Sequence, residues 1–335
     1  LVVGVPGYVS GTTQGKSRFY SGADLAAGGS VSSELDLFGN SLSGVDVANL
    51  GDVDQDGLDD LGVGPGPYGS ALTVFSGATL AGATGSLTNA DALDTMSGTL
   101  AGGRTTGGGL DFDQDGYDDI LFGMGWDTDG EIALISGIDV ANGSASINGA
   151  TSLTGREGAM MGHSSGWLDD VTGDGYPEIV ASAPGEDGDK AGSGVVYVVD
   201  GDDLPTGSKK AHNVAFYTLL GNAETGRMIS AETGGDFDGD GIQDLVVSHP
   251  GDFVELQNYG VKGRTFVHWG PDVQQGGTVE AKETDVEFTS TGADDLFGYN
   301  HIIGDLDGDG LDDLVILAPG GNGLSGYAAA FLSRL

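Results

Sequence analysis

The chain has 335 residues, 38% of them hydrophobic, which is enough for the core of one large domain or two smaller ones. Its 12 basic and 51 acidic residues give a net charge of −39, which argues against binding to nucleic acid or anionic lipid. Cysteine is absent, which excludes a disulfide framework and thiolate chemistry.

The first segments of the chain are two apolar runs, LVVGVPG (1–7) and SRFYSG (17–22). They match the pair of strands that follows each Asp-rich loop further along, yet no such loop precedes them. We therefore expect the first repeat to lack its inner strand and its loop. No run has the length of a transmembrane helix, and neither a signal peptide nor an initiator Met is present. Either a leader has been removed or the numbering starts inside a longer protein.

Five Asp-rich segments read alike and start between 59 and 69 residues apart. We number them loops 1 to 5: DVDQDGLDD (52–60), DFDQDGYDD (111–119), DVTGDGYPE (170–178), DFDGDGIQD (236–244) and DLDGDGLDD (305–313). Self-similarity at such a period is typical of repeat architectures.

The segments around the loops repeat as well. A short apolar run, typical of a buried strand, follows each loop: 61–65, 120–124, 179–184, 245–250 and 314–319. A second apolar run comes next: 72–77, 132–137, 195–201, 265–270 and 327–333. A glycine stands 7 to 10 residues before each loop: Gly44, Gly103, Gly162, Gly226 and Gly298. The stretch between this glycine and the loop predicts an inner strand rich in small residues.

Each unit is therefore about 60 residues and roughly four strands long, which is the size of a β-propeller blade. We predict an all-β fold, a single propeller domain over 1–335 with six visible repeats, the first of them incomplete. The approximate repeats are 1–37, 38–97, 98–154, 155–218, 219–286 and 287–335. The last segment, 296–335, supplies three strands and no clear fourth. The ring is six-bladed if the missing strand comes from elsewhere, such as an upstream segment or a partner strand, or seven-bladed in a longer parent.

The loops follow the pattern D-x-[DT]-x-D-G-x-x-[DE], in which oxygens at positions 1, 3, 5, 7 and 9 converge because the loop turns back at the glycine of position 6. Position 7 would offer its backbone carbonyl. An all-oxygen cage suits Ca²⁺ better than Mg²⁺, and the absence of His and Cys argues against zinc or copper. The predicted ligands are Asp52, Asp54, Asp56, Leu58, Asp60, Asp111, Asp113, Asp115, Tyr117, Asp119, Asp170, Thr172, Asp174, Tyr176, Glu178, Asp236, Asp238, Asp240, Ile242, Asp244, Asp305, Asp307, Asp309, Leu311 and Asp313.

The spacing begins like an EF-hand loop, but the last acid is at position 9 and strands flank the loop. The alternative is a set of solvated acidic turns with ordinary Asp-Gly chemistry. Clustered carboxylates repel one another, so we predict about five structural Ca²⁺ ions. Loop 3 carries Thr172 at position 3 and Glu178 at position 9, so its site is expected to be weaker than the others.

The sequence resembles the FG-GAP repeat family, which includes the propeller of integrin α subunits and many bacterial secreted proteins. The likeness rests on the five loops, on LFG at 37–39 and 296–298, and on the strand endings ASAPG (181–185) and LAPG (317–320). The resemblance implies an integrin-α-like propeller with its calcium loops on the lower face of the ring. It also implies an acidic, secreted or cell-surface protein, of a bacterial type, used in cell adhesion.

Catalytic motifs are weak in this sequence. Gly162-His163-Ser164-Ser165-Gly166 fits the G-x-S-x-G pattern of hydrolases, but it falls on a predicted inner strand where that motif requires a strand–turn–helix context. The five His are dispersed, and Trp126, Trp167 and Trp269 are expected to pack in the core although they could stack on sugars.

We therefore predict a non-catalytic extracellular module for adhesion, protein–protein interaction or surface assembly, whose partner is another protein or a surface glycan. A carbohydrate-binding lectin-like propeller is the first alternative. A secreted hydrolase or polysaccharide lyase is the second. No nucleic acid and no membrane insertion are expected.

Overall fold

The structure is a computed structural model. The residues that it describes are 2–10, 13–20, 35–38, 46–64, 71–98, 104–125, 129–204, 207–222, 230–250, 262–284, 286–292, 295–320 and 326–333. The chain divides into two compact units, one of 1–127 with 132–152 and the other of 128–131 with 153–335.

The described part of the first unit is built from short strands. They are β1 (Val2–Ser10), β2 (Thr13–Phe19), β3 (Leu35–Phe38), β4 (Asp46–Asn49), β5 (Leu61–Gly64), β6 (Ala71–Phe75), β7 (Gly85–Thr88), β8 (Asp94–Ser97), β9 (Arg104–Leu110), β10 (Asp119–Gly123), β11 (Glu131–Ile135) and β12 (Thr151–Thr154). Their sheets include the strand orders β1-β2-β3-β7, β4-β5-β6-β8 and β9-β10-β11-β12.

The described part of the second unit has the same construction. Its strands are β13 (Ser165–Leu168), β14 (Glu178–Ala183), β15 (Val195–Val199), β16 (Ser208–Lys210), β17 (Tyr217–Leu220), β18 (Ser230–Gly235), β19 (Asp244–His249), β20 (Arg264–His268), β21 (Gly277–Glu280), β22 (Val286–Thr289), β23 (Asn300–Gly304), β24 (Asp313–Ala318) and β25 (Tyr327–Phe331). Their sheets have the orders β13-β14-β15-β17-β21, β18-β19-β20-β22 and β23-β24-β25.

The predicted apolar runs are the second and third strands of these sheets. In each case the second strand begins at or directly after the last acid of a loop, as β14 begins at Glu178 and β19 at Asp244. All six residues of both strands are buried, as expected for strands covered on both faces. The prediction of a mostly β protein made of small sheets is confirmed.

In each unit a sheet includes a strand that comes from a later part of the chain. β7 pairs in parallel with β3, with Leu35 opposite Gly85, and β21 pairs in parallel with β17, with Tyr217 opposite Gly277. β7 and β21 follow the third strand of the next sheet in sequence, so they cross to the sheet before their own. This exchange, which adds residues from the next repeat to a sheet, was not predicted from the sequence.

Short helices follow the third strands β6, β11 and β20, and another follows β16. They are α1 (Gly77–Gly82), α2 (Gly137–Ala141), α3 (Ala211–Val214) and α4 (Gly270–Gln275). Two single 3₁₀ turns, Asn89–Asp91 and Gly201–Asp203, complete the described helical structure. Among the described residues, no helix is both long enough and apolar enough to cross a lipid bilayer.

Apolar side chains between neighbouring sheets form the core of each unit. One cluster of the first unit is built around Leu72, Phe122 and Ile135, and one of the second around Val198, Leu245 and Phe266, all nearly inaccessible to solvent. The inner strands lie close to neighbouring backbone, because a Cβ on Gly108 of β9 would collide with the backbone of Leu50, and one on Gly234 of β18 with that of Asp244 in β19. Small residues on these strands therefore allow the approach of neighbouring backbones.

Candidate metal centres

The Asp at position 1 organises each loop from within. Its carboxylate accepts a hydrogen bond from the backbone N–H of the position-6 glycine, five residues later, at 2.8 to 3.0 Å in all five loops. In loops 3 to 5 the other oxygen accepts the N–H groups of positions 4 and 5. The glycine itself has a left-handed φ, 89° at Gly57 and 94° at Gly310, so the turn predicted at position 6 is present.

Four of the five loops bring three carboxylates together. In each group one oxygen per residue lies within 4.8 Å of the others: Asp52, Asp54 and Asp60; Asp111, Asp113 and Asp115; Asp236, Asp238 and Asp244; Asp305, Asp307 and Asp313. Positions 1 and 3 belong to every group. The third member is the position-9 acid in loops 1, 4 and 5 and the position-5 acid in loop 2. These triads are typical of FG-GAP calcium sites.

Loop 3 differs from the other loops, as its sequence suggests. Within the described residues it forms no group of three acidic ligands at this separation. Thr172 supplies a hydroxyl at position 3, and that hydroxyl lies 3.5 Å from Asp170 Oδ1, to which it donates a hydrogen bond. Glu178 uses both carboxylate oxygens to accept the N–H groups of Val171 and Thr172, each at 2.9 Å.

The position-9 acid is buried and has a role that the sequence analysis missed. In loop 1, Asp60 Oδ2 accepts the N–H of Val53 at 2.9 Å, and Oδ1 accepts the N–H of Gly77 at 2.7 Å. Asp119 and Asp244 make the same pair of bonds, to Phe112 and Gly137 and to Phe237 and Gly270, and Asp313 makes it to Leu306 and Ser333. The side chain therefore joins its loop to the second residue after the third strand.

Burial changes the acidity of these carboxyls. Desolvation raises the pKa of Asp60, Asp119, Glu178 and Asp244 to about 7 in each case, although the backbone N–H groups that they accept act in the opposite direction. A bound cation would favour the ionised form, because metal binding to a carboxylate releases its proton.

The glycine that recurs two residues after three of the third strands is explained by this contact. A Cβ on Gly77, Gly137 or Gly270 would collide with the backbone or side chain at positions 7 and 8 of the adjacent loop. At these three positions the lack of a side chain lets the N–H reach the buried carboxylate, whereas Ser333 donates the corresponding bond to Asp313. The repeated Ser-Gly or Trp-Gly at the end of the second apolar run was the sequence signal for this contact.

Position 4 also requires a left-handed backbone. It is Gly173, Gly239 and Gly308 in loops 3 to 5, with φ of 82°, 77° and 80°. In loops 1 and 2 it is glutamine, and Gln55 and Gln114 adopt φ of 59° and 58°. Because a left-handed conformation costs a non-glycine residue about 1–2 kcal/mol, loops 1 and 2 carry strain that the others avoid. Gln55 donates its side-chain amide to the carbonyl of Gly116, which offsets part of it.

Position 5 is bonded differently from one loop to another. Asp56 Oδ2 accepts hydrogen bonds from Ser76 Oγ at 2.7 Å and from the N–H of Ala78 at 3.1 Å, so this oxygen is directed at the start of α1. The Ser76 hydroxyl is the main cause of the lowered pKa of Asp56. In every loop the other oxygen accepts the N–H of the position-7 residue at 2.8 to 3.0 Å. The carbonyl of that residue remains the predicted backbone ligand.

The donor set fits a hard divalent cation such as calcium. The triads are made of carboxylate oxygens, and no histidine or cysteine belongs to any group found among the described residues. Asp52 Oδ1 is buried without a hydrogen-bond partner among those residues. A buried carboxylate oxygen without a partner is costly, so this atom is suited to hold a cation.

The G-x-S-x-G segment lacks the setting of a hydrolase nucleophile. Ser164 Oγ donates a hydrogen bond to the carbonyl of Ala231 at 3.0 Å, and the segment leads directly into β13, where the hydrolase motif requires a helix. Trp167 is buried at 3% exposure and Trp269 is half-buried against an apolar cluster. Trp126 lies outside the described residues, as do Gly44, Gly103 and Gly226.

Two segments of the second unit, 296–298 and 160–162, share one backbone geometry. In the LFG segment at 296–298, Leu296 and Gly298 have left-handed φ of 58° and 87°, and Phe297 is buried between them. Met160, with φ of 54°, and Gly162, with φ of 82°, flank the buried Met161 in the same way. Met160–Gly162 therefore has the same backbone geometry as the LFG segment, although its sequence, MMG, does not match the motif. The LFG at 37–39 lies partly outside the described residues.

Comparison with known proteins agrees with these observations. Residues 161–199 and 229–268 match the FG-GAP repeat family. Phosphatidylinositol-glycan-specific phospholipase D is 33% identical over 182 residues in Rattus norvegicus, 32% over 174 in Bos taurus and 33% over 179 in Homo sapiens. These matches include about half of this chain and 20% of each relative. The chain therefore spans about a fifth of the length of the curated relatives that it matches.

Fold and site together define a class of β-repeat proteins with acidic metal-binding loops. Within that class the chain carries FG-GAP repeats at 161–199 and 229–268 and is distantly related to the FG-GAP region of phosphatidylinositol-glycan-specific phospholipase D.

Proposed function

We propose that the chain is a calcium-stabilised, non-catalytic β-propeller that works outside the cell as an interaction module. The observation that carries the proposal is the recurrence of one loop geometry. In all five loops the position-1 carboxylate accepts the position-6 N–H, and in four of them that carboxylate belongs to an Asp triad. Such repetition is expected of a structural element that every repeat needs, whereas a catalytic centre occurs once.

Calcium would stabilise the fold by removing charge repulsion within the loops. Carboxylates a few ångströms apart repel by several kcal/mol in total at an effective dielectric constant of about 20. A divalent cation supplies the compensating charge, and its preference for the folded loops adds to the free energy of unfolding. Positions 1 and 3 would hold it, together with Asp60, Asp115, Asp244 or Asp313. With loop 3 as a weaker fifth site, about five ions would bind.

The propeller ring is the arrangement that best explains the sheets. Each sheet that contains a metal loop has the chain order inner strand, loop, second strand and third strand. The strands β7 and β21 pair in parallel with a strand of the preceding sheet. Radial blades joined in this way leave short, protected edges. Six repeats, with the first incomplete, remain the proposed organisation, in a ring of six or seven blades.

An extracellular location follows from the proposed calcium dependence. Extracellular modules bind calcium with dissociation constants of about 10⁻⁴ to 10⁻³ M, which only calcium-rich fluids supply. A net charge of −39 leaves a strongly acidic surface even with five ions bound, and such a surface favours a partner protein with basic residues or a neutral glycan.

The named relatives favour a second candidate function, which is a contribution to a phospholipase acting on phosphatidylinositol-glycan. The matched part is about a fifth of those enzymes. Purified chain incubated with a glycan-anchored reporter protein separates the candidates. We expect no release of the reporter; release that disappears in Ser164→Ala or in a triad variant would support the enzyme instead.

Thermal unfolding of the whole chain in calcium and in EDTA tests the calcium proposal. We expect a higher midpoint in calcium, no equal rise in the same concentration of magnesium, and a smaller calcium effect after Asp238→Ala. Glu157→Ala is a matched control, since Glu157 is exposed and lies outside the loops. Equal midpoints in calcium and EDTA for the unaltered chain contradict structural calcium.

A further inference from the structure

Neighbouring loops are joined through the residue at position 8, which belongs to no triad. Asp118 of loop 2 accepts, at Oδ2, the backbone N–H of Asp52 in loop 1 at 2.9 Å. Asp312 of loop 5 accepts the backbone N–H of Asp236 in loop 4 at 3.0 Å. In both pairs the donating residue is the position-1 Asp that organises the preceding loop.

Loops 3 and 4 are joined by a neutral version of the same contact. Gln243, at position 8 of loop 4, accepts the N–H of Asp169 through Oε1 and donates through Nε2 to Asp169 Oδ2, both at 3.0 Å. Asp169 directly precedes the position-1 residue of loop 3. An amide therefore does here what a carboxylate does in the other two pairs, so the contact does not depend on charge.

The residue before each loop is matched to this contact. Gly51 and Gly235 precede loops 1 and 4, and a Cβ on either would press on the side chain of Asp118 or Asp312. Gly51 also has a left-handed φ of 72°. Where the partner is Gln243, the preceding residue is Asp169, whose carboxylate is used in the contact. The residue before a loop is thus glycine where position 8 of the next loop is Asp, and Asp where position 8 is Gln.

One neighbouring pair lacks the chemistry for this link. Position 8 of loop 3 is Pro177, which has no side-chain donor or acceptor, and the residue before loop 2 is Leu110.

We propose that the position-8 side chain of one loop is a positioning residue for the calcium site of the preceding loop. The inference rests on the proposed calcium function. By holding the backbone N–H of Asp52, Asp118 fixes the residue whose carboxylate accepts the Gly57 N–H and contributes to the triad of loop 1. Asp118 also directly precedes Asp119, the buried acid of its own loop, so ordering of one loop is transmitted to the next.

Calcium titration calorimetry of the whole chain, starting from the metal-free protein, tests the direction of this effect. Asp118→Ala is measured alone, with Asp54→Ala, which removes a loop 1 ligand, and with Asp113→Ala, which removes a loop 2 ligand. We expect Asp118→Ala to weaken one site about tenfold, the loss of one charge-assisted hydrogen bond. The weakening persists with Asp113→Ala and disappears with Asp54→Ala, because the affected site is loop 1.

Two further variants keep the result interpretable. Asp118→Asn retains an acceptor oxygen, so its affinity stays close to that of the unaltered chain, as the natural Gln243 indicates. If Asp118→Asn weakens the site as much as Asp118→Ala, or if the effect of Asp118→Ala survives in the Asp54→Ala background, the positioning role is wrong. Failure of the calcium function looks different: the unaltered chain then takes up no calcium and Asp54→Ala changes nothing. Glu157→Ala controls for the loss of one negative charge.

Discussion

Asp244 Oδ1 accepts a hydrogen bond from the backbone N–H of Gly270 at 2.8 Å and so joins loop 4 to the start of α4. The other oxygen accepts the N–H of Phe237 at 3.0 Å, within the loop itself. Asp244 is fully buried and desolvation raises its pKa to about 7. The residue that closes the sequence motif is thus a structural clamp as well as a member of the triad.

Removing the clamp and removing a ligand are therefore expected to differ. Asp244→Ala leaves two buried N–H groups without acceptors and lowers the free energy of unfolding by about 2–5 kcal/mol, even in EDTA. Asp238→Ala removes an exposed acid, so it changes little in EDTA but reduces the stabilisation by calcium. Urea unfolding in calcium and in EDTA measures both effects. Equal losses for the two variants in EDTA contradict the distinction.

Loop 3 is expected to gain affinity from a single substitution. Thr172→Asp restores the acid that the other four loops carry at position 3, and we expect the weakest calcium site to strengthen by about tenfold, from one added charge-assisted contact. Calorimetric titration against the unaltered chain measures this change, with Thr172→Asn as the neutral control. Five equal sites in the unaltered chain show that loop 3 is not the weak one.

The sign of a Gly→Ala change is expected to depend on backbone conformation alone. Gly308 has φ of 80°, Gly82 lies in α1, and a Cβ on either meets nothing within 4 Å. Gly308→Ala lowers the free energy of unfolding by about 1–2 kcal/mol because of the left-handed conformation. Gly82→Ala raises it by up to about 1 kcal/mol, since alanine is the better helix former. Chemical denaturation of both variants in EDTA checks the prediction, and a shared sign contradicts it.

His249 is expected to make the protein sensitive to acid. It is 1% exposed, and its ring lies 5.5 Å from that of Phe266. Desolvation, aided by the nearby charge of Arg264, lowers its pKa to about 4. A histidine whose folded pKa lies below the unfolded value of about 6.5 contributes stability at pH above that value. That contribution is lost as the pH falls from about 6.5 towards 4.

His249→Phe tests this expectation, because a ring that cannot be protonated does not contribute to the pH dependence. The free energy of unfolding of the unaltered chain falls more steeply between pH 6.5 and 4 than that of the variant. His212→Phe is the control, a histidine that is only partly buried. Parallel curves for the unaltered chain and His249→Phe show that His249 does not titrate in this range.

Many features of the loops could be predicted from the sequence because they are local. An Asp followed five residues later by Gly closes a turn with its own backbone, so positions 1 and 6 dictate the loop wherever it lies, as Asp236 and Gly241 show. The apolar runs after each loop specify buried strands for the same reason, and β14 and β19 begin where the pattern places them.

Other features were decided by tertiary structure. Asp60 and Asp115 are both acids of the motif, yet one joins its triad from position 9 and the other from position 5. Asp118 is not part of the ligand pattern, and its partner Asp52 lies in another repeat, 66 residues away. The parallel exchange of β7 and β21 likewise depends on where the preceding sheet lies. Local sequence determines turns and strands through nearby hydrogen bonds, whereas burial and packing between repeats decide which carboxylate oxygens remain for a cation.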